Sequence, residues 1–160
     1  MTRVLCHGDL WSANLLWRKG EGKSHSLAAI IDFQTVHLGC PAADLCLLFS
    51  ACLSGKDRQE RWEELLEDFY RYLEHEVDGE DMPFTLEQLK EAYRRLYPII
   101  GFMLISMAGP ILNVITNMSE EEEKQERLDV VMEKIEHILD DVIKYYSSDV
   151  VNPTKCEEAS

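Results

Sequence analysis

Three polar residues near the N-terminus have the types and the spacing that phosphoryl transfer requires. Asp9 lies in the segment His7-Gly8-Asp9, Asn14 follows five positions later, and Asp32 stands in an Ile-Asp-Phe triplet. In this chemistry an aspartate accepts the proton of the attacking hydroxyl, while an asparagine and a second aspartate hold the magnesium ions that neutralise phosphate charge. The pattern therefore predicts Asp9 as the catalytic base and Asn14 and Asp32 as ligands of Mg²⁺, which prefers such oxygen donors.

Two short apolar runs are placed to bring these residues together. Residues 14–17 and 27–31 are apolar apart from Asn14, and the polar segment 18–26 between them contains Gly20 and Gly22. This pattern predicts a β-hairpin with a long loop. Such a hairpin would have Asn14 at the entry of its first strand and Asp32 just after its second, so that both side chains lie at one end.

The order of three segments resembles a known enzyme family. The chain contains HGDLWSANLLW, then IDFQ, then GCPAADL, and so resembles the small-molecule kinases that share the protein-kinase catalytic core. These are the aminoglycoside phosphotransferases, the choline kinases and the CHK kinase-like (ecdysteroid kinase-like) group. Trp11 and Gln34 are most similar to the last group. The resemblance implies ATP as co-substrate, Mg²⁺ as cofactor and a small-molecule hydroxyl as acceptor, with Asp9 as base and Asn14 and Asp32 binding the metal.

The same resemblance assigns supporting roles to three further residues. Asp44 matches a carboxylate that braces the catalytic loop from the next helix, His7 matches a histidine that shapes that loop, and Gln34 follows the metal-binding aspartate where protein kinases have glycine. The sequence departs from the H-R-D-L-x-x-x-N loop of protein kinases at Gly8, which replaces the arginine. Asp44 also has a simpler explanation, because an acidic residue three positions after Pro41 suits the first turn of a helix.

Two other functions fit parts of the pattern. A metal-dependent hydrolase could be built from His7, Asp9 and Asp32, but the sequence has no further histidine cluster of the kind that metallohydrolases use. A non-catalytic binding or regulatory protein, or a truncated isoform, could keep the pocket without being able to clamp a nucleotide. Magnesium-dependent turnover of ATP would distinguish a kinase from the second alternative.

The resemblance covers the C-terminal lobe of such a kinase. The sequence contains no G-x-G-x-x-G cover for the phosphates and no V-A-I-K-like strand, both of which belong to the N-terminal lobe. We expect residues 1–147 to form an α+β, mostly helical, kinase-like C-terminal lobe without an N-terminal lobe, and residues 148–160 to form a disordered tail. The surface that the missing lobe would cover is then left bare, which predicts self-association through it.

Composition limits the class of partner and the compartment. The 160 residues are 46% hydrophobic, which suits one globular domain, and 30 acidic against 16 basic residues give a net charge of −14. Such a charge argues against nucleic-acid partners, since phosphate backbones attract the opposite sign. Five cysteines without a C-x-x-C pair, and no apolar leader, lead us to expect reduced thiols, a cytoplasmic location and no membrane partner.

Most of the remaining chain has helical periodicity. Apolar spacing predicts helices over 41–53 and 57–77, the second ending at Gly79, and a long amphipathic helix from Ser119 to about Tyr146. Thr85 and Gln88 form the signature of a capping box that starts another helix.

That helix is expected to bend or break at Pro98. The uncharged segment 99–115 that follows is interrupted by glycine, proline and asparagine, so we expect a buried central helix and not a membrane span. By resemblance alone, Met103 and Met107 on this segment are candidates to line the acceptor pocket.

Overall fold

The computed structural model describes residues 1–20, 22, 24–78, 81–118 and 120–151, without the side chains of 148–151. This part of the chain is mostly helical, as expected for an α+β domain, and has two small sheets. Its elements are β1 (Val4–Cys6), β2 (Leu15–Lys19), β3 (His25–Ile30), β4 (His37–Gly39), α1 (Pro41–Cys52), α2 (Gly55–Val77), α3 (Leu86–Thr116) and α4 (Glu121–Val151).

The two sheets have two antiparallel strands each. The predicted hairpin is confirmed, with Leu15 of β2 opposite Ile30 of β3 and an irregularity between Leu16 and Trp17. The other sheet pairs β1 with β4, and Val4 lies opposite Gly39. The sequence pattern gave no prediction of strand β4. Three residues carry no periodicity, so their pairing with β1 is visible only in the fold.

Local capping signals explain where the helices begin. Pro41 opens α1, where its missing N–H costs nothing. The Ser54 side chain accepts a hydrogen bond from the backbone of Asp57 and so caps α2. The predicted capping box at the start of α3 is confirmed, because Thr85 and Gln88 bond reciprocally. The predicted helix end at Gly79 and helix start at Ser119 lie outside the described residues.

Of the bend or break expected at Pro98, the break is wrong. Helix α3 continues through both Pro98 and Pro110 as a single element of 31 residues. A proline inside a helix removes one backbone hydrogen bond and crowds the preceding turn. Helix α3 packs on α1 and α4 along its length, and this tertiary packing outweighs the local preference.

The expectation of a buried segment over 99–115 is also wrong. Only Gly101, Ala108 and Ile115 of this segment are buried, while residues such as Phe102 are exposed. By length and composition, α3 is the one helix in the described residues that could cross a membrane, and 17% of its most apolar window is buried. A single helix of this kind is weak support for a membrane span. One face of α3 therefore packs inside the domain and the other is open.

The core lies where the four helices meet and is rich in aromatic rings. Trp62 of α2 stacks on Tyr93 of α3 at 5.1 Å between ring centroids, and Tyr145 of α4 meets Tyr97 edge to face at 5.4 Å. Desolvation by burial raises the pKa of the Tyr93, Tyr97 and Tyr145 hydroxyls far above the ordinary value. Trp62 thus belongs to the same core as the three tyrosines.

A buried ion pair ties α2 to α4. The Arg58 guanidinium is 1% exposed and donates to Asp141 from Nη2 at 2.9 Å and from Nε at 3.2 Å. Gln59 donates to the other oxygen of the same carboxylate at 3.2 Å. The guanidinium also lies 5.3 Å from the centre of the Tyr97 ring. Removing either partner would leave a buried charge without compensation.

The C-terminal boundary and the thiols are described only in part. Helix α4 continues to Val151, past the boundary that the sequence predicted at residue 147, and the rest of the expected tail lies outside the described residues. Four cysteines are free thiols in the described part of the chain: Cys6, Cys40, Cys46 and Cys52. Burial raises the pKa of the Cys6 and Cys46 thiols, which keeps both protonated at neutral pH.

Candidate functional site

The loop of residues 7–14, here the polar loop, joins β1 to β2 and brings two of the predicted residues into contact. Asn14 ends a short 3₁₀ turn and is 6% exposed. Its side-chain nitrogen donates to the backbone oxygen of Asp9 at 2.8 Å and to the Asp9 carboxylate at 3.1 Å. Because the amide nitrogen is turned towards Asp9, the amide oxygen lies on the opposite side of the group. Asn14 can therefore hold Asp9 with one atom and offer the other to a metal.

The hairpin carries the third residue to the same end. The backbone N–H of Ile31 donates to the Asn14 carbonyl at 3.0 Å, which extends the strand pairing by one step, and Asp32 follows directly. Asp32 has left-handed backbone angles, φ 64° and ψ 60°, which are uncommon for a residue with a side chain. Its side chain is exposed and makes no hydrogen bond to the described part of the chain. The role of Asn14 and Asp32 as metal ligands stays a prediction.

Asp44 holds the polar loop from behind. One carboxylate oxygen accepts from the backbone N–H of His7 at 2.7 Å and the other accepts from that of Gly8 at 2.8 Å. Asp44 lies in the first turn of α1, so the helix dipole also favours its negative charge. Asp44 thus bonds to the backbone just before Asp9, and its bracing role in the site stays a prediction.

His7 links the polar loop to the Asp32 segment. The histidine is 7% exposed, and the backbone N–H of Asp9 donates to its Nδ1 at 3.3 Å. Nδ1 is therefore the acceptor, so Nε2 carries the proton and donates to the Ile31 carbonyl at 2.8 Å. The ring also contacts Phe33 at 4.6 Å between centroids. Both ring nitrogens are thus engaged in hydrogen bonds within the site, and the supporting role of His7 stays a prediction.

A contact with Thr35 explains the unusual glycine in the motif. Gly8 has a φ of +85°, and a Cβ atom at this position would lie 2.5 Å from the Thr35 carbonyl oxygen. A residue with a side chain would be strained here, so the arginine of the protein-kinase motif does not fit this backbone. The Thr35 hydroxyl also donates to the His7 carbonyl at 3.2 Å. Sequence reasoning missed Thr35, because a lone threonine in a short turn carries no signal.

Gln34 is the one supporting residue that stands apart. It lies exposed on the 3₁₀ turn Phe33–Thr35, and its side chain takes part in none of the hydrogen bonds that hold the polar loop in the described structure. Its supporting role stays a prediction.

The oxygen donors of the site suit Mg²⁺ better than they suit the histidine-ligated metal ion of a metallohydrolase. Asp9, Asn14 and Asp32 offer two carboxylates and an amide oxygen, all hard donors. Over the residues whose placement is described, no three His, Cys, Asp or Glu side chains are grouped so as to hold a metal ion. A hydrolase using His7 as a ligand would need a ring nitrogen that the loop already occupies.

Asp32 is exposed and Asp9 is half-buried. Two cavities of about 610 and 520 Å³ lie elsewhere, the first between the ends of α3 and α4 and the second beside Met1 and Cys40. Next to the site, the hairpin presents apolar side chains to solvent, with Trp17 57% and Leu27 48% exposed. Met103 and Met107 are exposed on α3, and their predicted place in an acceptor pocket is not tested by these cavities.

Comparison with known proteins gives a family and two relatives. The family model of DUF1679, described as "Uncharacterized oxidoreductase dhs-27", matches residues 1–150. The Caenorhabditis elegans protein named "Uncharacterized oxidoreductase dhs-27" is 38% identical over 97 residues, which are 57% of this chain and 12% of that protein. The "Uncharacterized kinase-like protein D1044.1" of the same organism is 32% identical over 101 residues, which are 63% of this chain and 26% of that protein.

The chain therefore spans well under a third of either relative, and no solved structure matches it. The second relative supports a kinase-like relationship in general terms. Because the family model matches nearly the whole length of the sequence, the chain belongs to the DUF1679 family.

Proposed function

We propose that this chain carries the catalytic and magnesium-binding part of a kinase that transfers the γ-phosphoryl group of ATP to a hydroxyl of a small molecule, as in the CHK kinase-like group. The observation that carries the proposal is the bonding of Asn14. Its side chain contacts Asp9, and its backbone holds the residue before Asp32. One asparagine thus connects the predicted base to the predicted second metal ligand.

Each residue has a defined part in the proposed reaction. The acceptor hydroxyl gives its proton to the Asp9 carboxylate as its oxygen attacks the γ-phosphorus, and the bond to the bridging oxygen of ADP breaks. The Asn14 amide oxygen and the Asp32 carboxylate hold Mg²⁺, which when bound neutralises charge on the phosphates. Asp44 and His7 keep the loop in place through the bonds described above.

The exposed apolar side chains of the hairpin support the view that this is one part of a larger catalytic unit. Leu16, Trp17, Leu27 and Ile30 are each at least 40% exposed beside the site. A nucleotide-clamping lobe, such as the resembled kinases have, would cover apolar side chains of this kind. The alternative is a non-catalytic binding protein that keeps the metal site without turnover.

The oxidoreductase name of one relative does not change this proposal. The alignment covers 12% of that protein, so its name describes a chain that is mostly outside the match. The G-x-G-x-x-G pattern that dinucleotide-dependent oxidoreductases use is absent from the sequence. A cytoplasmic location, with neither membrane nor nucleic acid as partner, belongs to the same proposal and rests on the sequence alone.

Two measurements on the 160-residue chain test the proposal. The first is binding of Mn²⁺, as a paramagnetic substitute for Mg²⁺, in the presence of ATP, followed by electron paramagnetic resonance. Asp32→Asn and Asn14→Ala should weaken binding at least tenfold, whereas Asp81→Asn, an exposed acid outside the site, should not. Equal binding by all four proteins would refute the assignment of the ligands.

The second measurement is transfer of labelled phosphate from ATP to a panel of small alcohols. Asp9→Asn should lower the rate by about 10²- to 10⁴-fold, the usual contribution of a general base, while metal binding persists. If the unmodified chain binds Mn²⁺ and ATP but shows no transfer, the same assay is run on a longer natural protein containing it. Metal binding without transfer in both would favour the non-catalytic alternative.

A further inference from the structure

One face of α3 is open to solvent although it is apolar. This face, here the α3 face, consists of six side chains that are 45% to 70% exposed: Ile99, Phe102, Met103, Met107, Ile111 and Val114. No charged residue occurs in the sequence between Arg95 and Glu120. The opposite side of the same helix packs on α1 and α4, with Gly101, Ala108 and Ile115 buried. The open face is therefore not part of the core of this chain.

The α3 face is large enough to require an explanation. Six half-exposed apolar side chains present roughly 600 Å² of surface, which is at the upper limit of the largest patch on a typical monomer. Two such faces packed together would bury about 1,200 Å², the lower end of the range for stable protein interfaces. A single second copy of the chain could therefore cover the face.

The spacing of the exposed residues fits a partner of identical sequence. Ile99 and Val114 are equally far from the midpoint between Ser106 and Met107. A two-fold interface needs this arrangement, because each residue at one end must meet a complementary residue from the other end. Two antiparallel copies of α3 would place apolar side chains opposite each other over about 22 Å, the length of fifteen helical residues.

The charges at the two ends of the helix favour the same arrangement. Arg95 lies just before the α3 face, and the acidic run 120–123 follows it at the start of α4. In an antiparallel pair the arginine of one copy approaches the glutamates of the other, at both ends. Arg95 is already paired with Glu91 of its own helix at 2.8 Å, so this attraction adds to the apolar contact and does not replace it. The same glutamates would repel an anionic lipid surface.

We propose that the α3 face binds the α3 face of a second copy, with the two helices antiparallel about an axis near Ser106. The self-association expected from the sequence was placed instead on the surface that a missing N-terminal lobe would cover. The inference does not depend on the kinase proposal.

Sedimentation of the purified chain over a range of concentrations tests the surface. The unmodified protein should form dimers, and Phe102→Glu should weaken dimerisation at least tenfold without loss of helical circular dichroism, because Phe102 is 70% exposed. Leu5→Glu is the matched control, since Leu5 is 72% exposed on β1. A monomer at every concentration would overturn the proposal. So would a dimer that Leu5→Glu disrupts and Phe102→Glu does not.

Disulfide cross-linking tests the orientation. In a background with Cys40, Cys52 and Cys156 replaced by serine, Ser106→Cys should cross-link two copies on mild oxidation. Ile99→Cys should not, because the antiparallel pair holds the two Ile99 positions about 20 Å apart. The reverse result would overturn the antiparallel arrangement. Co-sedimentation of a monomeric chain with neutral phosphatidylcholine vesicles, lost in Phe102→Glu, would instead identify lipid as the occupant.

Discussion

Replacing Asp44 tests how the polar loop is held in place. Its carboxylate accepts two backbone hydrogen bonds, from His7 at 2.7 Å and from Gly8 at 2.8 Å. In Asp44→Ala both N–H groups lose their acceptor. In Asp44→Asn the shape is kept, but one acceptor oxygen becomes an NH₂ group that faces an N–H donor. The two variants therefore remove the bracing to different degrees without altering Asp9 itself.

The expected loss follows from the number and type of these bonds. A hydrogen bond to a charged group contributes about 1.5 to 3 kcal/mol when it is buried. Asp44 is half-buried, so the two bonds together should stabilise the loop by about 2 to 4 kcal/mol. A residue that served only the helix dipole would contribute less than about 1 kcal/mol. The two explanations of Asp44 therefore predict different magnitudes.

Urea unfolding and amide hydrogen exchange measure the difference. Asp44→Ala should lower the free energy of unfolding by about 2 to 4 kcal/mol, and exchange at the amides of His7 and Gly8 should become roughly 30 to 900 times faster. Asp57→Ala is the matched control, because Asp57 is also a first-turn acid but its side chain bonds to its own helix cap. If the Asp44 and Asp57 variants unfold alike and the two amides keep their protection, the bracing role is refuted.

Three further predictions concern stability. Asp141→Ala should lower the free energy of unfolding in urea by about 3 to 5 kcal/mol, because it leaves the Arg58 charge buried and unpaired. Arg61→Ala, which breaks an exposed pair, should leave the urea midpoint unchanged. Equal urea midpoints for the two variants would contradict this prediction. Gly8→Ala should destabilise the protein more than Gly22→Ala in the same assay. Both positions have positive φ, but only at Gly8 would an added Cβ atom collide with another residue, Thr35. The reverse order of stability would exclude the Thr35 contact. Above about pH 10 the chain should lose stability, because the buried tyrosines Tyr93, Tyr97 and Tyr145 have a raised pKa in the folded state and ionise more easily when unfolded. The part of the tyrosinate absorbance at 295 nm that these three residues contribute should therefore appear only with loss of helical signal, and absorbance from all six tyrosines in a folded protein would contradict the assignment.

The parts of the fold that sequence predicts are those with local causes. The hairpin follows from two apolar runs around a glycine-bearing loop, and the start of α3 follows from Thr85 and Gln88. The convergence of Asn14 with the segment before Asp32 also follows from the hairpin alone. In these cases the information lies within a few residues of the element that it specifies.

The parts that sequence does not predict depend on distant contacts. Strand β4 is three residues long and forms only because β1 lies beside it. Thr35 holds the loop through a hydroxyl group that no motif marks. Pro98 predicts a helix break, but packing of α3 keeps the helix continuous. The uncharged segment after Pro98 predicts a buried helix, but most of its large apolar side chains are exposed. Periodicity indicates which side of a helix is apolar, but not whether a partner covers it.

The bonds described above that tie the polar loop to the rest of the domain come from elements that follow it in the same chain. Asp44 belongs to α1, the Ile31 carbonyl follows β3, and Thr35 belongs to the next short turn. None of these contacts needs a covering lobe, so the geometry around Asp9 and Asn14 is built by this chain alone. A covering lobe would instead act on the exposed hairpin and Asp32 side of the site. Metal binding and nucleotide turnover should therefore be separable. The isolated chain should bind Mg²⁺ even if turnover of ATP requires the covering lobe. Failure to bind the ion would count against Asn14 and Asp32 as its ligands.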